Sequence, residues 1–255
     1  MKKDKLLIAS SALLMLLILA CIVSLVLLSV CGINHEIFKE KNAPKPQTEV
    51  SSVELGETVE YGSHYLNSIV FVTDKRLSGI DAHGIAKTHI WTQKDGDLPL
   101  DFNTSTAHIV FPYTNEEISV PDATGETKPE YMIVSLGFSN GIRCSEEKFK
   151  EYYTKLISNV KSVSPNTKII LQSILPISKN YEKDNSGITN EKIDTANSWI
   201  HSIARENGVK YLNTASVLKD SMGQLSAEYD SGDGITLNPL GYQNIIEYIR
   251  THGYK

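Results

Sequence analysis

Cysteine is scarce in this 255-residue chain: three occur, and two of them, Cys21 and Cys31, lie in or at the edge of one apolar run. Cys144 therefore stands alone in the polar remainder, which excludes an internal disulfide there and a cysteine metal cluster. The seven histidines show no metal-ligand spacing, and Asp230-Ser231-Gly232-Asp233 lacks the twelve-residue pattern of a calcium loop. No metal and no cofactor is expected. Basic residues form no cluster beyond the first few positions, so nucleic acid is not an expected partner. With no internal repeat and no covalent staple, the fold has to rest on an apolar core.

What is present falls into two parts. Leu6 to Val30 is a run of 25 residues in which only Ser10, Ser11, Ser24 and Ser29 are polar. As a helix it spans about 37 Å, enough to cross a hydrocarbon core of roughly 30 Å. A cleavable signal peptide has a shorter apolar stretch. Lys2, Lys3 and Lys5 against Asp4 give the leader +2 within a net charge of −5, leaving −7 for everything after it. That asymmetry predicts a cytoplasmic N-terminus and an exported remainder. Ile18-Leu19-Ala20-Cys21 offers a lipobox as an alternative, but ten largely apolar residues follow it, which a lipidated N-terminus does not need. Residues 1–31 are thus expected to be a cytoplasmic stub and transmembrane signal anchor. Residues 32–59, with Ala43-Pro44-Lys45-Pro46 and Ser51-Ser52 and no periodicity, read as a polar tether.

Residues 60–255 alternate short apolar runs with amphipathic stretches. Ser68–Val72, Tyr131–Leu136, Lys168–Gln172 and Val209–Leu212 suit strands covered on both faces. His89–Trp91 and His108–Phe111 look like further strands, the latter with a hairpin partner at Ile118–Val120. A helix is predicted after Ser145, with Phe149, Tyr152, Tyr153, Leu156, Ile157 and Val160 on one face. Another starts at Asn190 and ends at Gly208; a third opens at Asn238-Pro239 and carries Tyr242, Ile245, Ile246 and Ile249. This order predicts an α/β fold, a three-layer α/β/α sandwich with a mainly parallel sheet of flavodoxin-like type. Ligands in such sheets sit at the carboxyl ends of the strands, here Thr73-Asp74-Lys75, Gly137–Gly141, Ser173–Pro176 and the loop before the last helix.

Those strand ends, in order, resemble the SGNH (GDSL-type) hydrolases, α/β/α esterases and lipases of which many deacylate carbohydrates. Thr73-Asp74-Lys75 stands where the family has Gly-Asp-Ser, Gly137-Phe138-Ser139-Asn140 where it has Gly-x-Asn, and Asp233-Gly234-Ile235-Thr236 where it has Asp-x-x-His. The resemblance implies that Lys75 occupies the nucleophile position and Thr236 the base position, both degenerate, while Asp233 is the retained triad Asp. It implies oxyanion or binding positions at Asn140, Gly96 and Asp74. A lysine amine acylated by an ester would form an amide that does not turn over, and Thr236 has no imidazole to take a proton.

The expectation is a membrane-anchored, extracytoplasmic domain that has lost its catalytic pair and binds an envelope glycan or acyl-ester ligand. Two alternatives stand beside it: an esterase with a noncanonical site, drawing on Ser78 or Ser139 with His83 or His89, and a protein-interaction module with a vestigial cleft. Trp91 is a candidate wall for a sugar-binding cleft, whereas Tyr152, Tyr153 and Tyr242 fall at helical core spacing. Cys144 is expected to be a small residue at a helix entrance.

Overall fold

The computed structural model describes residues 52–81, 89–184 and 187–254. The Leu6–Val30 run and most of the predicted tether lie outside these residues. Among the described residues no helix is long and apolar enough to cross a membrane.

Seven strands form. They are β1 (Ile69–Thr73), β2 (His89–Trp91), β3 (His108–Val110), β4 (Glu117–Ser119), β5 (Tyr131–Ser135), β6 (Lys168–Gln172) and β7 (Lys210–Leu212). The helices are α1 (Ser63–Asn67), α2 (Val120–Thr127), α3 (Glu146–Val163), α4 (Lys179–Asp184), α5 (Asn190–Glu206) and α6 (Pro239–Thr251). Five strands make one parallel sheet in the order β2-β1-β5-β6-β7, with Ile69 opposite Tyr131 and Thr73 opposite Ser135. β3 and β4 form the expected antiparallel hairpin, His108 facing Ser119.

The apolar runs become central strands because both faces are covered. Along β1, Val70 and Val72 point into a core shared with α3 and α5, while Ile69 and Phe71 point into a second core under α1 and α6. The same alternation holds on β5, where Met132 and Val134 face one layer and Tyr131 and Ile133 the other. That is the three-layer α/β/α arrangement predicted from the sequence. The helix stripes are buried as their spacing predicts, save Tyr152, which is only half-buried. Helix starts are sealed by side chains: the Ser145 hydroxyl accepts from Lys148 N–H, Thr189 from Lys192 N–H, and Asn238 from Gly241 N–H.

Two expectations need correction. The segment assigned to the tether reaches into the fold at its C-terminal end: Leu55 is buried, Leu55 N–H donates to Tyr211 O, and Tyr211 N–H donates to Val53 O. Glu54 thereby bridges Tyr211 in parallel, and the otherwise open edge of β7 gains the partner that an edge strand requires. Trp91 is fully buried, packed edge-on to Phe111, and so cannot wall a sugar cleft.

Candidate active site

Strand order reverses between β1 and β5, since β2 lies on one side of β1 while β5, β6 and β7 follow on the other. Loops leaving the two strands at that point diverge and open a crevice at the carboxyl edge. The loop after β1 carries Asp74, Lys75 and Arg76; the loop after β5 carries Gly137, Phe138 and Ser139.

Asp74 ties these loops together. It is 2% exposed; Oδ1 accepts from Arg76 N–H at 3.1 Å and Oδ2 from Phe138 N–H at 3.0 Å. Burial pushes its carboxyl up to about 6, against the opposing pull of those two hydrogen bonds and of Arg76. Arg76 is buried as well. Its guanidinium donates to Leu175 O and Pro176 O at 3.1 and 2.7 Å and lies 4.6 Å from the Phe138 ring centroid. Burial lowers it to about 10, so it stays cationic at neutral pH. The β6 loop that receives it is fixed from behind by two buried amides. Asn190 pairs with Ile177 N–H and C=O, and Asn197 with Ile174 N–H and C=O.

Gly137 is needed for the turn. Its φ of +118° is one that side-chain-bearing residues rarely adopt, and a Cβ there would sit 3.0 Å from Ile174 and 3.2 Å from Phe149. Gly137→Ala is expected to cost about 3 kcal/mol, from backbone strain and overpacking together, read as a lowered urea midpoint.

Lys75, Arg76, Phe138, Ser139, Tyr181 and Thr236 are among the residues that line a cavity of about 260 Å³ at these strand ends. A larger depression of about 750 Å³ lies beside β2 and β3, lined by residues such as Gln93 and His108, and holds none of the strand-end side chains named from the motifs. The smaller cavity is the one with the chemistry.

The triad positions meet there in altered form. Thr236 Oγ1 donates to Asp233 Oδ2 at 2.6 Å, where the resemblance implies an imidazole. Asp233 also accepts from Ile235 N–H and Thr236 N–H at 2.9 and 2.7 Å. Partial burial would raise its carboxyl, but the Thr236 hydroxyl and these N–H groups outweigh that and hold it below the usual range, with Arg76 adding to the effect. Lys75 is exposed and points no ion pair at any described residue.

The oxyanion positions are engaged otherwise. Lys75 N–H donates to Asp97 Oδ1 at 3.1 Å, and the same oxygen takes the Ser139 hydroxyl at 2.7 Å. One carboxylate oxygen therefore takes up both the Lys75 backbone N–H and the Ser139 hydroxyl. Gly96 N–H closes a turn to Gln93 O at 2.8 Å. Asn140 is exposed, and only its backbone oxygen is used, by Arg143 N–H and the Cys144 thiol. Ser78 donates to Lys75 O, and His89 lies beside Tyr113 away from the cavity. His83 lies outside the described residues. No histidine lines the cavity among the described residues.

A model of the GDSL-like lipase/acylhydrolase family matches residues 106–243, which include both the Gly137–Asn140 and the Asp233–Thr236 segments. This chain belongs to that family. Solved structures agree on the fold. A Streptococcus pneumonia protein described as a platelet activating factor is similar over 87% of this chain and 97% of its own, with 19% identity and a TM-score of 0.51. A GDSL-like lipase from Bacteroides thetaiotaomicron is similar over 74% and 88%, with 16% identity and a TM-score of 0.50. A Bacteroides fragilis protein described as an acylhydrolase covers 80% and 92% at 13% identity and a TM-score of 0.51. No curated protein matches the chain. The family match begins after the loop that carries Asp74 and Lys75, and so covers two of the three strand-end segments.

Residues that sequence reasoning did not single out carry much of this site. Asp97, Arg76, Arg143, Asn190 and Asn197 belong to none of the family blocks, and only the fold brings them to one edge. A signal was nevertheless present for Asp97, which follows Gly96 in the Asp95-Gly96-Asp97 turn after a strand.

Proposed function

We propose that this GDSL-family domain binds a ligand at the strand-end cleft without hydrolysing esters, and that the Leu6–Val30 run holds it on the outer side of a membrane. The observation that carries the reading is the Asp97 carboxylate on Lys75 N–H. It occupies the donor that acyl transfer needs and places negative charge where negative charge would develop. Lys75 and Thr236 in the nucleophile and base positions add to it, because neither can deliver the serine–histidine proton transfer. The retained cleft, with apolar walls and converging polar groups, favours a binding role.

The test is hydrolysis of short-chain aryl esters and acetylated glycans by the full chain. No turnover above the buffer rate is expected, and measurable turnover abolished by Ser139→Ala would overturn the reading. For the anchor, the intact chain is expected in the membrane fraction with its N-terminus still attached. A mature protein beginning after residue 30 would contradict the topology.

A further inference from the structure

The strand-end cavity adjoins a second one of about 470 Å³, and Arg143 lines both. Lys75 and Arg76 lie on the first side of it, Lys192 and Trp199 on the other. Four cationic side chains line the pair of cavities and, among the described residues, no carboxylate does. This is unlike the rest of a chain whose net charge is −5.

The nearest carboxylates are turned elsewhere. Asp74 holds Arg76 N–H and Phe138 N–H, Asp97 holds Lys75 N–H and the Ser139 hydroxyl, and Asp233 holds Thr236 and Ile235. Lys75, Arg76 and Arg143 make no ion pair with any described residue, and Lys192 donates to Gly187 O. Arg76 is only 4% exposed, yet its Nε has no hydrogen-bond partner. Its hydrogen bonds go to two carbonyls alone, and Asp74 and Asp233 act on it as neighbouring charges without pairing with it, so an anion arriving in the cavity would add a direct partner. Apolar groups of Phe138, Ile188 and Ile235 face the same space.

Resting on the reading that this cleft binds rather than hydrolyses, we infer that its ligand is anionic: a carboxylate or phosphate monoester on a small apolar body. The oxyanion sits among Lys75, Arg76 and Arg143, and the body lies against Phe138 and Ile235. The recognised group is the charge that an uncleaved neutral ester lacks. Lys75, in the nucleophile position, serves as one of its donors.

The experiment is calorimetric titration of the full chain, in a neutral detergent, with inorganic phosphate, butyl phosphate, butyrate and butyl acetate, at low and high salt. Butyl phosphate or butyrate is expected to bind, more weakly as salt rises, and butyl acetate is not. Binding by butyl phosphate alone assigns a phosphate ligand, and binding by both extends it to carboxylates. The Lys75→Gln, Arg143→Gln double variant, altered only at exposed side chains, should weaken the anions by about tenfold or more while keeping the parent's urea midpoint. Anion binding that ignores salt and the double variant overturns the inference, as does no anion binding at all. Butyl acetate bound in place of the anions removes the charge requirement but leaves a ligand-binding cleft. Butyl acetate hydrolysed by the parent removes the underlying reading instead.

Discussion

Restoring the family's Ser and His, as Lys75→Ser with Thr236→His, is expected to leave aryl-ester hydrolysis at the buffer rate until Asp97→Ala is added. The triple variant should then exceed the double by on the order of 10² in kcat, the size of effect seen when one oxyanion donor is lost. The base side of the triad needs little rebuilding, since Asp233 already orients a hydroxyl at position 236 at 2.6 Å and is fixed by two backbone N–H groups. A histidine there would find the same carboxylate. On the nucleophile side, a serine at 75 would still have its own N–H spent on Asp97 Oδ1. Any oxyanion forming on an attacked carbonyl would meet a negative charge instead of a donor. Removing the carboxylate frees the N–H and the Ser139 hydroxyl together. Equal rates for the double and triple variants would show that Asp97 does not block the hole, and the argument from its position would fall.

The strands and helices of this fold were legible because burial imposes periodicity. Val70 and Val72 against Ile69 and Phe71 show it on a two-faced strand, and Phe149, Tyr153, Leu156 and Val160 show it on a one-faced helix. Residues 53–55 were not legible, because they join the sheet through backbone pairing with Tyr211, and backbone pairing leaves no side-chain pattern. The site divides in the same way. Lys75, Asp233 and Thr236 could be placed from short local motifs at strand ends. Asp97 meets Lys75 across 22 positions, and that meeting depends on β2 lying beside β1, which no local pattern encodes. The charge of the cleft was hidden for a related reason. Lys75 and Arg76 are neighbours in sequence, but Arg143 comes from the segment between β5 and α3 and Lys192 from the first turn of α5, so a scan for basic runs finds nothing. Trp91 errs in the opposite direction: aromatic character suggests a sugar wall, whereas its ring turns into the core against Phe111 and is buried entirely, although β2 is an edge strand.

Asp74→Ala is expected to be the most damaging single change in the domain, lowering stability by about 4 kcal/mol, a large share of the 5–15 kcal/mol typical of a domain. Two losses combine. Arg76 N–H and Phe138 N–H, both buried, lose their acceptor at roughly 1–3 kcal/mol for each orphaned donor. The buried Arg76 guanidinium loses its neighbouring negative charge, and stripping a partner from a buried charge is costly on its own. Asp74→Asn should cost less, because one carbonyl oxygen remains while the amide N–H₂ faces a donor. The pH dependence separates charge from shape. Burial, opposed by the two N–H donors and Arg76, raises the folded carboxyl to about 6 from 3.8. Below pH 3.8 the group is protonated in both states and its relative contribution to stability is complete. Between 3.8 and 6 the folded state keeps a proton that the unfolded chain has released, so stability falls as pH rises, and above 6 the loss is complete. Urea unfolding of the parent across this range should lose on the order of 2–3 kcal/mol relative to Asp74→Asn, whose side chain does not titrate. Parallel curves for the two proteins would mean that Asp74 ionises as an ordinary carboxylate, and that its bonds to the two loops alone account for its place between them.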